Sequence, residues 1–156
     1  MKILIIHGPN LTRLGKRNPA QYGTFTLDQI NSQLVKLAKS SGIDTEFFQS
    51  NHEGAIIDFL QSSDKSRGSN GILINPGALT HYGYSLRDAL EDTKLPIVEV
   101  HLSDVDSREP FRKIDVLDGI VIKKISGRKE KSYYEGFQYL INYLKNMLSS
   151  SRPRNK

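Results

Sequence analysis

Five short, mostly apolar runs, each separated from the next by a helix-length stretch, constrain this chain more than any other feature. They are KILIIH (2–7), IDTEFFQS (43–50), GILIN (71–75), PIVEVHL (96–102) and GIVIKKI (119–125). Such runs read as strands buried on both faces of a parallel sheet. The stretches between them have helical periodicity. Thr26 with Gln29 forms a capping box, and Leu27, Ile30, Leu34 and Leu37 then share one helical face until Gly42 ends it. Asn51 is placed to cap a helix whose apolar face is Ile56, Ile57 and Leu60. Residues 82–93 read as a helix facing inward through Leu86, Ala89 and Leu90, and residues 132–149 as another through Phe137, Leu140, Ile141, Leu144 and Leu148. KSRGSN is a loop. Residues 103–116 are polar and irregular, with one helical turn expected at 107–112.

Strands that alternate with helices imply an α/β fold with both sheet faces covered. Right-handed crossovers make the sheet doubly wound. Five strands suit the flavodoxin-like order 2-1-3-4-5, with one domain over residues 1–149 and a disordered basic tail at 150–156. In that order strands 1, 3 and 4 are neighbours, and the loops after them meet in one crevice at the switch point. The expected occupants are Asn10, Arg17 and Tyr22 after strand 1, then Asn75, Gly77 and His81 after strand 3, and Glu99, His101, Leu102 and Ser103 at the end of strand 4.

Composition narrows the function classes. The 156 residues contain no Cys, which excludes disulfides and thiolate metal sites. No apolar run approaches the length of a membrane span, and the first residues lack a signal-peptide pattern, so a cytoplasmic protein is expected. The net charge of +5 is unevenly spread: residues 123–156 carry a net +7 and the rest a net −2. A basic end such as SSSRPRNK is more often a solvated terminus than a nucleic-acid site. The four histidines, His7, His52, His81 and His101, have no metal-binding spacing. Neither G-x-x-x-x-G-K-[ST] nor G-x-G-x-x-G occurs, so no nucleotide motif is present.

The loop after strand 1 carries Arg13, Lys16, Arg17 and Tyr22. A phenol is a poor base at neutral pH, and nearby cations make it a better one. Glu99 and His101, two apart on a strand, share a face, and a carboxylate beside an imidazole suits a proton shuttle. Asn75 before Pro-Gly can hold a water or an oxyanion. The turn at Leu102-Ser103 offers N–H groups and a hydroxyl to a carboxylate. Arg108 and Arg112, four apart on one face of a helical turn, either seal the crevice or pair with Asp104, Asp106 and Glu109. His81 either caps a helix or touches a ligand. Asp88 sits mid-helix.

Together, GPNLTRLGKRNPAQYG, FFQSNHEG, ILINPGALTHYGYSLRDAL and IVEVHLSDVDSREPFRK resemble the type II (class II) 3-dehydroquinate dehydratases, in order from residue 2 to about 113. The resemblance implies a hydro-lyase of the shikimate pathway, which leads to chorismate and aromatic amino acids. It removes water from 3-dehydroquinate in an anti sense, through an enolate, with no cofactor and no metal. It implies Tyr22 as the base at C2, supported by Arg17 and Arg108. A water on Asn75 stabilises the enolate, with Asn10 contributing. His101, oriented by Glu99, is the acid for the C1 hydroxyl. Leu102 and Ser103 hold the substrate carboxylate, and His81 and Arg112 hold ring hydroxyls. Asp88 reaches a neighbouring subunit's site in a dodecamer of four trimers, and residues 14–23 act as a lid. Neither nucleic acid nor membrane is an implied partner.

The chain departs from the family pattern at His7, where Asn or Gln is usual, and at Thr12-Arg13. It also has KKISGRKEKSYYEGF where a Gly-rich run is usual. Two other classes use the same residues differently. A binding module would not need Tyr22. A nucleic-acid binder would use the basic end and bind with strong salt dependence.

Overall fold

A computed structural model describes residues 1–62 and 68–150. Five parallel strands form one sheet in the order β2-β1-β3-β4-β5, as the sequence predicts. They are β1 (Lys2–His7), β2 (Asp44–Gln49), β3 (Gly71–Asn75), β4 (Ile97–Val100) and β5 (Lys123–Ile125). The helices are α1 (Pro19–Tyr22), α2 (Leu27–Ser41), α3 (Glu53–Gln61), α4 (Tyr84–Asp92) and α5 (Lys131–Ser150).

The alternation of side chains along β1 divides the core. Ile3 and Ile5 join the cluster of α2 and α5, around Leu34, Tyr133 and Phe137. Leu4 and Ile6 join the cluster of α3 and α4, around Ile56, Leu60, Leu86 and Leu90. β3 is buried at every residue, as expected of a central strand covered on both sides. α2 opens on the Thr26–Gln29 capping box and ends at Gly42 in the left-handed region, at φ 67°.

Several boundaries differ from the sequence reading. α3 has His52, not Asn51, at its N-cap. The Asn51 carboxamide instead accepts the Asn10 N–H at 3.0 Å, tying two loops of the crevice together. α4 begins at Tyr84 because Gly77–His81 form a 3-10 turn first. β4 pairs over Ile97–Val100 only, and β5 is three residues long. The stretch before β5 is apolar without being a strand: Ile120 N–H closes a turn onto Leu117, and Ile120 and Val121 pack on the α3–α4 cluster. Residues 103–116 contain two 3-10 turns, Val105–Ser107 and Pro110–Lys113. α5 continues to Ser150, so the first residue assigned to the tail is helical. Residues 151–156 and the first part of KSRGSN lie outside the described residues. Among the described residues no helix is long and apolar enough to cross a membrane.

At the C-terminal edge of the sheet, the turns after β1 and β3 pack back to back. Gly8 N–H donates to Asn75 C=O at 2.7 Å, and a Cβ on Gly8 would lie 2.5 Å from the Pro76 carbonyl oxygen. Gly77, at φ 58°, would likewise press on the Pro9 carbonyl at 3.0 Å. Two glycines therefore let the loops meet without a spacer, and the cleft opens beside them.

Candidate active site

The cleft encloses about 140 Å³ and opens to bulk solvent. Its walls include Asn10, Arg17, Tyr22, Asn75, Gly77, His81, His101, Leu102, Ser103, Arg108 and Arg112. The sequence reading named all eleven. Glu99 stands behind His101 rather than in the wall, and Asp88 is exposed on α4 away from the cleft. Arg13 and Lys16 point to solvent.

One wall is cationic. Asn18 caps α1 by accepting the Ala20 N–H at 3.0 Å, and Pro19 follows at the first helical position. This single turn lifts Tyr22 into the cleft. The phenol oxygen accepts Arg17 Nη2–H at 2.8 Å and Arg108 Nη1–H at 3.0 Å. The Arg17 guanidinium also lies 3.7 Å over the Tyr22 ring. Two cationic donors on one oxygen stabilise negative charge there. Arg108 does not share a helical face with Arg112, as the spacing suggested. It ends one 3-10 turn, and Arg112 lies inside the next. The exposed carboxylate of Glu109 sits between them, 2.6 Å from Arg112 Nε and 3.5 Å from Arg108 Nε. Sealing the crevice and pairing with a carboxylate are thus both true of these arginines.

The opposite wall is built from strand ends. Period two brings Glu99, fully buried, beside His101, 4% exposed. His101 Nε2–H donates to Glu99 Oε1 at 2.6 Å, so Nδ1 is the ring nitrogen that Glu99 leaves unengaged. Thr80 Oγ–H, also fully buried, reaches the same Glu99 oxygen at 2.7 Å. Both donors serve Oε1 of Glu99, and its Oε2 is buried with no hydrogen-bond partner among the described residues.

Between the walls, His81 Nδ1–H donates to the Ile114 carbonyl at 2.7 Å. That bond leaves Nε2 as an acceptor, and Nε2 is buried without a protein partner among the described residues. Asn75 accepts the Gly77 N–H through Oδ1 at 3.1 Å. Its Nδ2 is buried close to the Tyr133 hydroxyl but has no acceptor in hydrogen-bond geometry among the described residues. Such atoms at a cleft are the ones a polar ligand would satisfy. Leu102 and Ser103 have their carbonyls tied by the Lys129 and Gly127 N–H groups, which fixes the turn. The Ser103 hydroxyl is 3.5 Å from Arg108 Nη1. Asn10 adopts φ 68°, a left-handed conformation that Asn tolerates better than most residues, and it opens the Leu11–Arg13 turn.

Sequence reasoning missed Thr80, Asp115 and Lys124. Thr80 Oγ also lies 3.0 Å from Asp115 Oδ1, and Asp115 Oδ2 lies 2.9 Å from Lys124 Nζ. Only the position of Thr80 beside His81 hinted at this. Thr80 and Asp115 are 35 residues apart, and no helical or strand spacing joins Asp115 to Lys124, so the pairing left no local signal.

The sequence matches the profile of the family Dehydroquinase class II over residues 1–141. It is 51% identical to a 3-dehydroquinate dehydratase of Roseiflexus castenholzii over 90% of this chain and 88% of that protein. A 3-dehydroquinate dehydratase of Halothermothrix orenii is 44% identical over 92% of this chain and 96% of that protein. The fold superposes on the crystal structure of a type II dehydroquinase from Butyrivibrio crossotus with a TM-score of 0.85, at 43% identity, covering 90% of this chain and 97% of that one. The chain belongs to the class II dehydroquinase family.

Proposed function

We propose that the protein is a hydro-lyase that converts 3-dehydroquinate to 3-dehydroshikimate, with Tyr22 as base and His101 as acid. The observation that carries this reading is that one cleft holds both a phenol bound by two guanidinium groups and an imidazole bound by a buried carboxylate. An elimination next to a ketone needs both. The Tyr22 phenolate takes the proton from C2, and the electron pair moves into the C3 carbonyl as an enolate. The free Asn75 Nδ2–H, directly or through a water, meets the developing oxyanion. The enolate then expels the C1 oxygen, which leaves as water with the proton of protonated His101. Glu99 stabilises that imidazolium and fixes the ring. Afterwards the proton on Tyr22 must return to His101 through solvent.

Other cleft residues fit the substrate's groups. The Leu102–Ser103 turn, with Arg108 nearby, suits the carboxylate. The free Nε2 of His81 accepts a ring hydroxyl proton, and Arg112 flanks it. Residues 14–23, which carry Arg17 and Tyr22, form the lid, and Asn10 supports the oxyanion side. The proposed assembly is a dodecamer of four trimers. Asp88, exposed and outside its own cleft, fits a residue that completes a neighbour's site. The proposed setting is the cytoplasmic shikimate pathway, with no cofactor.

The test follows enone absorbance after 3-dehydroquinate is added. Turnover is expected to survive borohydride pretreatment, because the mechanism has no Schiff base. It is expected to fall by on the order of 10³–10⁴ in Tyr22→Phe. Turnover that is lost with borohydride, or kept in Tyr22→Phe, would overturn the assignment.

A further inference from the structure

The buried carboxylate that orients His101 is not the end of its network. Glu99 Oε1 takes both His101 Nε2–H and the Thr80 hydroxyl, at 2.6 and 2.7 Å. Thr80 has one hydroxyl proton but lies within hydrogen-bond distance of two carboxylates, the second being Asp115 at 3.0 Å. Two anions flanking one proton repel each other unless a cation compensates. Lys124 supplies it, 2.9 Å from the far oxygen of Asp115. The Leu117 N–H, at 2.9 Å, fixes the near oxygen. This lysine lies in the net-basic stretch 123–156, within the run read as the fifth strand.

We propose that Thr80, Asp115 and Lys124 are positioning residues that set how tightly the Glu99–His101 pair holds its proton. The charge pattern runs cation, anion, hydroxyl, anion, imidazole, from Lys124 on β5 to His101 at the cleft. With Lys124 present, Asp115 is cancelled and Glu99 alone answers the imidazolium. Without Lys124, a second uncompensated negative charge faces the pair and strengthens its hold on the proton. Without the Asp115 charge, an uncompensated lysine faces Glu99 and weakens it. Burial works against both outer charges. Their mutual bond, with the Leu117 N–H, nevertheless holds the Asp115 carboxyl below the usual range. The same bond, with the charges of Asp115, Glu99 and Asp106, lifts the Lys124 ammonium above its usual one. The other charged or titratable groups near the pair are Arg108, Arg112 and His81 in the cleft wall, with Arg17 and Tyr22 opposite. None of these belongs to the Thr80–Asp115–Lys124 chain, and the test leaves them unchanged.

The kinetic part of this inference rests on the dehydratase reading, but its direct test does not. The His101 imidazole is titrated by NMR in isotope-labelled protein, with the resonance assigned by comparison with His101→Gln. Lys124→Met is expected to move the midpoint up and Asp115→Asn to move it down, each by about half a pH unit or more. Thr80→Ser should keep the Asp115→Asn shift, and Thr80→Val should shrink it. The alkaline limb of kcat against pH should move in the same two directions, with KM changed less than about twofold. Shifts of the same sign, or none, in variants whose circular dichroism is native would overturn the inference. Lys124 is partly exposed, so Lys124→Met carries the sign of the test even if Asp115→Asn does not fold. Opposite shifts without turnover would sink the dehydratase reading and leave the network standing. Turnover without the shifts would do the reverse.

Discussion

The two walls of the cleft hold their proton-handling groups in opposite ways. Tyr22 is half-buried, sits on a one-turn helix in a loop, and is held by one arginine of that loop and one from a distant segment. His101 is buried at a strand end and is held by a carboxylate inside the core. Each partner matches the step proposed for its group: cations beside the phenol, an anion beside the imidazole. The difference is in what else depends on them. The tyrosine side is assembled late in space from loops. The histidine side is part of the sheet and costs buried polar groups to build.

His7 sharpens the contrast, because it is a second buried histidine at the end of a parallel strand. It is 1% exposed, against 4% for His101. Its ring nitrogens meet Tyr133 OH at 2.8 Å and Asn31 Oδ1 at 2.9 Å, both neutral partners. Burial pushes its pKa down to about 4, against the raising influence of the Asn31 bond. Two histidines of similar depth thus differ in whether a carboxylate stands beside them. His7 has only neutral partners, whereas the anionic partner of His101 suits the proton-donor role proposed for it.

Between the two histidines, the larger expected effect comes from erasing that distinction. Glu99→Gln gives His101 a neutral partner, as His7 has, and should lower turnover by on the order of 10²–10³. Glu99 does not line the cleft, so the loss should fall on kcat with KM changed little. A KM effect of equal size would mean that Glu99 only shapes the pocket. A smaller effect tests the other histidine. Native His7 titrates at about 4 and an unfolded histidine at about 6.5, so between these pH values only the unfolded chain takes up the proton. Its contribution to stability is therefore complete above pH 6.5 and lost progressively down to pH 4, by about 3 kcal/mol. Urea unfolding across this range measures the slope, and His7→Asn should flatten it. An unchanged slope in His7→Asn would show that the neutral cage has no energetic consequence.

Much of this was legible in the sequence, for local reasons. The parallel sheet follows from the alternation of apolar runs and helices, five strands suit the order observed, and the shared face of Glu99 and His101 follows from period two. The capping box at Thr26 is a three-residue signal and folds as read. What escaped depends on partners far apart in the chain. Arg108 reaches Tyr22 across 86 residues, and Asp115 reaches Thr80 across 35. Asn51 has a capping side chain by type, yet a loop N–H at Asn10 claims it. Residues 119–122 have strand-like composition, but apolar side chains can pack on a helical layer without joining the ladder. Pro110 opens a second 3-10 turn, which splits the single turn expected to carry both arginines.

The central claim is that the cleft divides proton traffic between two walls, with Tyr22 at carbon and His101 at oxygen. The most direct test incubates each variant with 3-dehydroquinate in D₂O and follows deuterium at C2 alongside product. In His101→Ala, exchange at C2 should continue while loss of water nearly stops. In Tyr22→Phe, both should stop. Exchange abolished in His101→Ala, or retained in Tyr22→Phe, would contradict the division of labour drawn from these two walls.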